Sequence, residues 1–117
     1  MSASPSSSRL PDLDPGQAAA LLDRGKAVLI DVREPAEWTA GHAPQAMHLP
    51  LAQLRPDAVS QGETVIAVCR SGNRSGKAAE LLAAAGVPVH NLAGGMGAWA
   101  RAGLPVVTDD GRPGEIA

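Results

Sequence analysis

One stretch of this 117-residue chain concentrates the groups that can do chemistry: Cys69-Arg70-Ser71-Gly72-Asn73-Arg74-Ser75. It follows the apolar run Thr64-Val65-Ile66-Ala67-Val68 and precedes an Ala- and Leu-rich segment, so it lies between a strand's C-terminal end and a helix's N-terminus. Open α/β sheets usually bind ligands at that edge. Gly and Asn are the residue types that most readily take positive φ, so Gly72 and Asn73 let the loop curl and aim successive N–H groups at one centre. Such a nest binds anions, and the helix start and two arginines add positive potential. A thiol at its rim ionises easily, with pKa values of roughly 3.5–7.5 against about 8.5 for a free cysteine. A drop of about two units favours the thiolate by about 3 kcal/mol. The same donors hold an anionic substrate or a persulfide.

The competing reading of Cys69 is a buried packing residue, because free cysteine is among the most buried residue types. Its surroundings argue against that: two arginines, two hydroxyls, a glycine and an asparagine follow within six residues. Cys69 is the only cysteine, which excludes an internal disulfide framework, a multi-cysteine zinc site and a C-x-x-C redox centre. The net charge of −2 and the two aromatic residues, Trp38 and Trp99, argue against a nucleic-acid reader. No apolar run approaches the ~20 residues of a spanning helix, and Met1 to Ser8 lacks the apolar centre of a signal peptide. A cytoplasmic protein without membrane contact is the expectation.

The elements that position the loop read as an alternation. Asp14-Pro15-Gly16-Gln17 starts a helix, with Asp14 as N-cap, and Gly25 ends it after Arg24. Residues 27–32 form a strand buried on both faces, and residues 34–41 a short helix. An extended piece covers 46–51, and a polar helix or loop covers 52–62. The strand at 64–69 feeds the cysteine loop. Ala78, Leu81, Leu82 and Ala85 then recur as a helical stripe up to Gly86. A strand at 87–92 and a helix carrying Trp99, stopped by Gly103 and Pro105, complete the series. Such alternation predicts one α/β domain with a mainly parallel sheet, after a flexible tail that includes Met1 to Ser8 and before a polar tail that follows Val106. Its core must be aliphatic, since 22 alanines, 12 leucines and nine valines face no Phe or Tyr. No internal repeat is present.

The chain resembles a single-domain rhodanese, a thiosulfate-type sulfurtransferase. The matching pieces are Leu29-Ile30-Asp31-Val32-Arg33-Glu34-Pro35 with Glu37-Trp38 and Gly41-His42; His48-Leu49-Pro50-Leu51; the Cys69 to Ser75 loop; and Leu92-Ala93-Gly94-Gly95 with Trp99; the resemblance bounds the domain at residues 12–106, with tails at 1–11 and 107–117. The resemblance implies a three-layer α/β/α fold with a central, mainly parallel sheet of about five strands. It also implies a double displacement: Cys69 takes a sulfane sulfur from a donor such as thiosulfate, becomes a persulfide, and passes the sulfur to cyanide or a thiol. A protein sulfur acceptor is a further possible partner. The related phosphatase branch has a seven-residue loop, whereas Cys69 to Arg74 is six. A tighter ring of N–H groups suits one sulfur atom rather than a tetrahedral phosphate. No cofactor is implied.

By the same resemblance Arg74 braces the loop and helix start, while Arg70 and Ser71 face the donor anion or the persulfide. Asp31 and Arg33 read as holding neighbouring loops, with contact to the site as the alternative. His42 reads as turn packing rather than a base, since a thiolate held by a helix start needs none. His42, His48 and His90 lack a metal-ligand spacing, so no metal is expected. Trp38 and Trp99 read as core residues, and Gly94-Gly95 as a tight turn. Two rivals stand beside the enzyme: a rhodanese-like regulatory or binding module without turnover, and a protein-to-protein sulfur-relay carrier. A monomer and a small homodimer fit the charge equally.

Overall fold

Four short strands pair in parallel. The computed structural model describes residues 9–59 and 62–117. Strand β1 (Val28–Asp31) lies between β2 (Ala46–His48) and β3 (Val65–Val68), and β3 pairs with β4 (Val89–Asn91), giving the order β2-β1-β3-β4. Every residue of β3 is buried, as expected of a central parallel strand covered on both faces. Among the described residues the expected fifth position is taken by isolated bridges. Arg9 and Leu13 pair in parallel with Val89 and Leu92, so part of the predicted N-terminal tail is tied to the sheet edge. The rest of that tail, residues 1–8, lies outside the described residues.

Helix α1 (Pro15–Asp23) precedes β1, α2 (Pro35–Ala40) and α3 (Asn73–Ala84) follow β1 and β3, and α4 (Gly95–Arg101) follows β4. Helix α1 starts as predicted: Asp14 Oδ1 accepts from the Gln17 N–H at 2.8 Å, and Gln17 Oε1 accepts from the Asp14 N–H at 3.0 Å. Residues 51–53 and 56–58 form two single 3₁₀ turns in the stretch read as a polar helix or loop.

Strand alternation divides the core in two. Ile30, Val65, Ala67 and Val89 pack with Ala78, Ala79, Leu82 and Ala83 of α3 on one face. Leu29, Ile66 and Val68 pack with Ala18 of α1 and Met96 and Trp99 of α4 on the other. Trp99 is fully buried and donates its indole N–H to Pro105 O, so the largest side chain of the core has its polar atom satisfied. Alanines on α3 let the helix approach the sheet closely, and its fully buried Leu82 stabilises that contact by roughly 1.5–3 kcal/mol.

Three expectations change here. The buried stripe of α3 is Ser75, Ala78, Ala79, Leu82 and Ala83, while Leu81 and Ala85 face solvent. Trp38 is half-buried rather than in the core, because six-residue α2 buries no residue. Its indole is sandwiched between the imidazoles of His42 and His48, with ring centroids 3.6 and 4.7 Å away. The segment after Val106 is bound to the domain rather than free. Val107 bridges His42 and Pro113, the Glu115 N–H donates to Ala40 O, and Ile116 packs against the α4 side of the core.

Candidate active site

Fully buried β3 delivers Cys69 to the C-terminal edge of the sheet, and α4 fixes the turn that follows. The Met96 and Gly97 N–H groups donate to the Cys69 and Arg70 carbonyls at 2.7 and 3.0 Å. A Cβ on Gly95 would overlap the Cys69 oxygen and come within 2.5 Å of the Arg70 carbonyl, and Gly95 has φ +61°. Only glycine lets α4 sit this close. With the two carbonyls held by α4, the following N–H groups are free to face the sulfur. Gly72, at φ +108°, makes the reversal into α3. Asn73 does not share the positive φ anticipated for it; it is the first helical residue of α3.

The Gly72 N–H donates to Cys69 Sγ at 3.1 Å, and the Ser75 hydroxyl lies 3.3 Å from the same atom. Cys69 is 1% exposed. Burial pushes its thiol pKa up, but the Ser75 hydroxyl and the N–H groups of Ser75, Gly72 and Ser71 outweigh it, and the net direction is down. Helix α3 carries no side-chain N-cap, so the orphan N–H groups of its first turn remain available to the sulfur.

Arg74 reaches across to α2, where Nη1 and Nη2 donate to Glu37 Oε1 and Oε2 at 2.6 and 2.8 Å. The guanidinium holds the Glu37 carboxyl down to about 2, and Glu37 raises Arg74 in turn. The pair ties the first turn of α3 to α2. Arg70 is exposed and donates from Nε to Ala117 O at 2.7 Å. Ser71 and Asn73 are exposed at the loop's outer side.

Asp31 and Arg33 are both fully buried and paired with each other: Nε and Nη2 meet the two carboxylate oxygens at 2.8–3.1 Å. Arg33 Nη2 also donates to Gly41 O, which fastens the end of α2 to the end of β1, and Arg33 Nη1 has no partner among the described residues. Breaking a buried pair of this kind costs about 3–5 kcal/mol. His42 bonds through Nδ1 to Trp38 O, and His48 through Nε2 to Arg33 O. Among the described residues, no group of three or more His, Cys, Asp and Glu side chains could hold a metal. No helix among them is long and apolar enough to cross a membrane.

Sequence reasoning missed two partners of the loop. Glu37 was part of the resemblance without a role, and Asn91 was not singled out. Asn91 ends β4 with its side chain on the same face as buried Val89; its Oδ1 accepts from Ser75 Oγ at 2.6 Å and its Nδ2 donates to Gly72 O at 3.1 Å. A polar residue two positions after Val89, on the same inward face of the strand, was the available signal.

The family model for the rhodanese-like domain matches residues 14–102. An uncharacterized protein of a Synechocystis strain is 42% identical over 96 residues; the match takes in 80% of this chain and 54% of that protein, so the chain spans about half its length. A protein of Allochromatium vinosum named sulfurtransferase is 42% identical over 94 residues, covering 78% of this chain and 88% of its own. A Pseudomonas aeruginosa structure titled thiosulfate sulfurtransferase superposes with a TM-score of 0.76 at 29% identity, over 92% of this chain and 22% of that one.

Proposed function

The chain belongs to the rhodanese-like domain family, and from that premise we propose that it is a sulfurtransferase that works through a persulfide on Cys69. The observation that carries the reading is the cradle around Sγ. Backbone N–H groups and a hydroxyl converge on a buried sulfur whose thiol is shifted toward its ionised form. The thiolate attacks the sulfane sulfur of thiosulfate; the new S–S bond forms as the old one breaks, its electron pair leaving with sulfite. The persulfide anion inherits the donors that held the thiolate. A cyanide carbon or a thiolate then attacks the outer sulfur, takes it as thiocyanate or a new persulfide, and returns the Cys69 thiolate. With no second cysteine in the chain, the persulfide cannot collapse into an internal disulfide, so the sulfur leaves to an external acceptor. The same-named activity of the Allochromatium relative supports the class of reaction.

The six-residue loop favours sulfur over phosphate transfer, and burial of Cys69 favours slender donors and acceptors over bulky ones. A cytoplasmic setting suits a chain whose one thiol must stay reduced between cycles. Assaying thiocyanate formation from thiosulfate and cyanide tests the proposal. Turnover by the natural chain and none by Cys69→Ala is expected; equal turnover by the two would remove Cys69 as the nucleophile.

A further inference from the structure

Ser75 has one hydroxyl hydrogen and two acceptors competing for it. Its Oγ lies 2.6 Å from Asn91 Oδ1 and 3.3 Å from Cys69 Sγ, and Ser75 is fully buried, so water does not relieve the competition. We propose that Asn91 is a positioning residue that holds the Ser75 hydrogen while the sulfur is uncharged and yields it when negative charge develops on Sγ. The inference rests on the role of Cys69 given above and adds a part for β4. Asn91 is oriented for this by its other end: Nδ2 donates to Gly72 O, which fixes Oδ1 toward Ser75 and also anchors the residue whose own N–H faces the sulfur.

In the neutral thiol the shorter contact holds the hydrogen, giving the chain S–H to Oγ and O–H to Oδ1. When the thiol proton leaves to solvent, the Ser75 hydrogen turns about the Cβ–Oγ bond to the sulfur, because a hydrogen bond to an anion is roughly twice as strong as a neutral one. No O–H bond breaks. Asn91 Oδ1 loses its donor in that step, and Asn91 is only 7% exposed, so the thiolate is stabilised by less than an uncontested hydroxyl would give. The consequence is reactivity. Thiolate nucleophilicity falls with basicity, so a sulfur held too firmly attacks slowly. Asn91 therefore keeps the sulfur from being overstabilised.

The test is a four-protein cycle of the natural chain, Asn91→Ala, Ser75→Ala and the double variant, with Cys69 titrated by its iodoacetamide alkylation rate against pH. The charged groups on the loop and on the elements packed against it are Arg70, Arg74 with its Glu37 partner, and the Asp31–Arg33 pair at the end of β1, the strand beside β3; all four proteins keep them. Removing Asn91 in the presence of Ser75 should lower the thiol titration by about half a pH unit to one pH unit relative to the same removal without Ser75. Loss of the Gly72 anchor is common to both and cancels in the comparison. Equal effects in the two backgrounds, or an upward effect confined to the Ser75 background, would overturn the proposal. If Asn91→Ala does not fold, the natural chain and Ser75→Ala answer alone by NMR. The Asn91 side-chain amide signals should move with the Cys69 titration in the first and not in the second; signals fixed in both, or moving equally in both, refute it. Alkylation needs no sulfur donor, so a chain inactive with thiosulfate could still show the coupling, and an active one could lack it.

Discussion

Replacing Glu37 with Gln removes the anion that ties Arg74 to α2 while keeping the size of the side chain. The two bonds from Arg74, at 2.6 and 2.8 Å, form a bidentate pair, and they hold the Glu37 carboxyl at about 2 against an ordinary 4.5. That difference corresponds to about 3 kcal/mol as an upper bound. The Arg74 side chain is 35% exposed, so solvent screening reduces the expected loss to about 1–2 kcal/mol. The pH dependence has a definite sign. A carboxyl whose pKa is depressed by folding contributes stability fully above about 4.5 and loses it as the pH falls toward about 2. Urea unfolding followed by tryptophan fluorescence should show Glu37→Gln less stable than the natural chain by that amount at pH 7. The gap should hold down to about pH 5 and close by about pH 2. Equal stability at pH 7, or a gap that does not change with pH, would refute the idea that this pair fastens the loop to α2.

Three other substitutions probe the cradle itself. Gly95→Ala forces a Cβ into the Cys69 and Arg70 carbonyls at a φ of +61°, so it should cost at least ~2 kcal/mol and lower the melting temperature by several degrees; an unchanged melting curve would show that α4 can retreat without loss. Gly72→Ala meets nothing closer than the Gly94 nitrogen at 3.6 Å, so its cost of about 1–2 kcal/mol is backbone strain at φ +108°. It should slow alkylation of Cys69 at pH 7, and an unaltered rate would mean the Gly72 N–H does not serve the sulfur. Ser75→Ala removes a donor that lowers the thiol pKa, so alkylation should slow near neutrality and recover at alkaline pH. A rate reduced equally at every pH would instead point to a blocked approach.

Local signals carried most of the fold. Asp14 and Gln17 announce the start of α1 because a capping box closes within four residues, and the apolar runs at β1 and β3 can be little else between charged and glycine-rich ends. The cysteine loop was legible for the same reason: its donors and its sulfur are contiguous. Long-range pairing was not. Glu37 and Arg74 are 37 residues apart, and only the packing of α2 beside the start of α3 brings them together. On α3 the segment Ala78 to Ala85 is alanine or leucine except at Glu80, so its periodicity supports two stripes. The structure selects the one that begins at Ser75, a polar residue that a search for apolar positions passes over. Trp38 misleads because a large aromatic ring suggests a core, whereas stacking between two imidazoles shields it at the surface. The polar stretch after Val106 looks free until the Glu115 and Gly114 N–H groups find the Ala40 and Val106 carbonyls.

The most direct test of sulfur transfer through Cys69 is the intact mass of the protein after incubation with thiosulfate in the absence of an acceptor. The account predicts a gain of one sulfur atom by the natural chain, its removal on adding cyanide, and no gain by Cys69→Ser. A natural chain whose mass does not change with thiosulfate or any other sulfane donor, or a Cys69→Ser chain that gains the same sulfur, would contradict it.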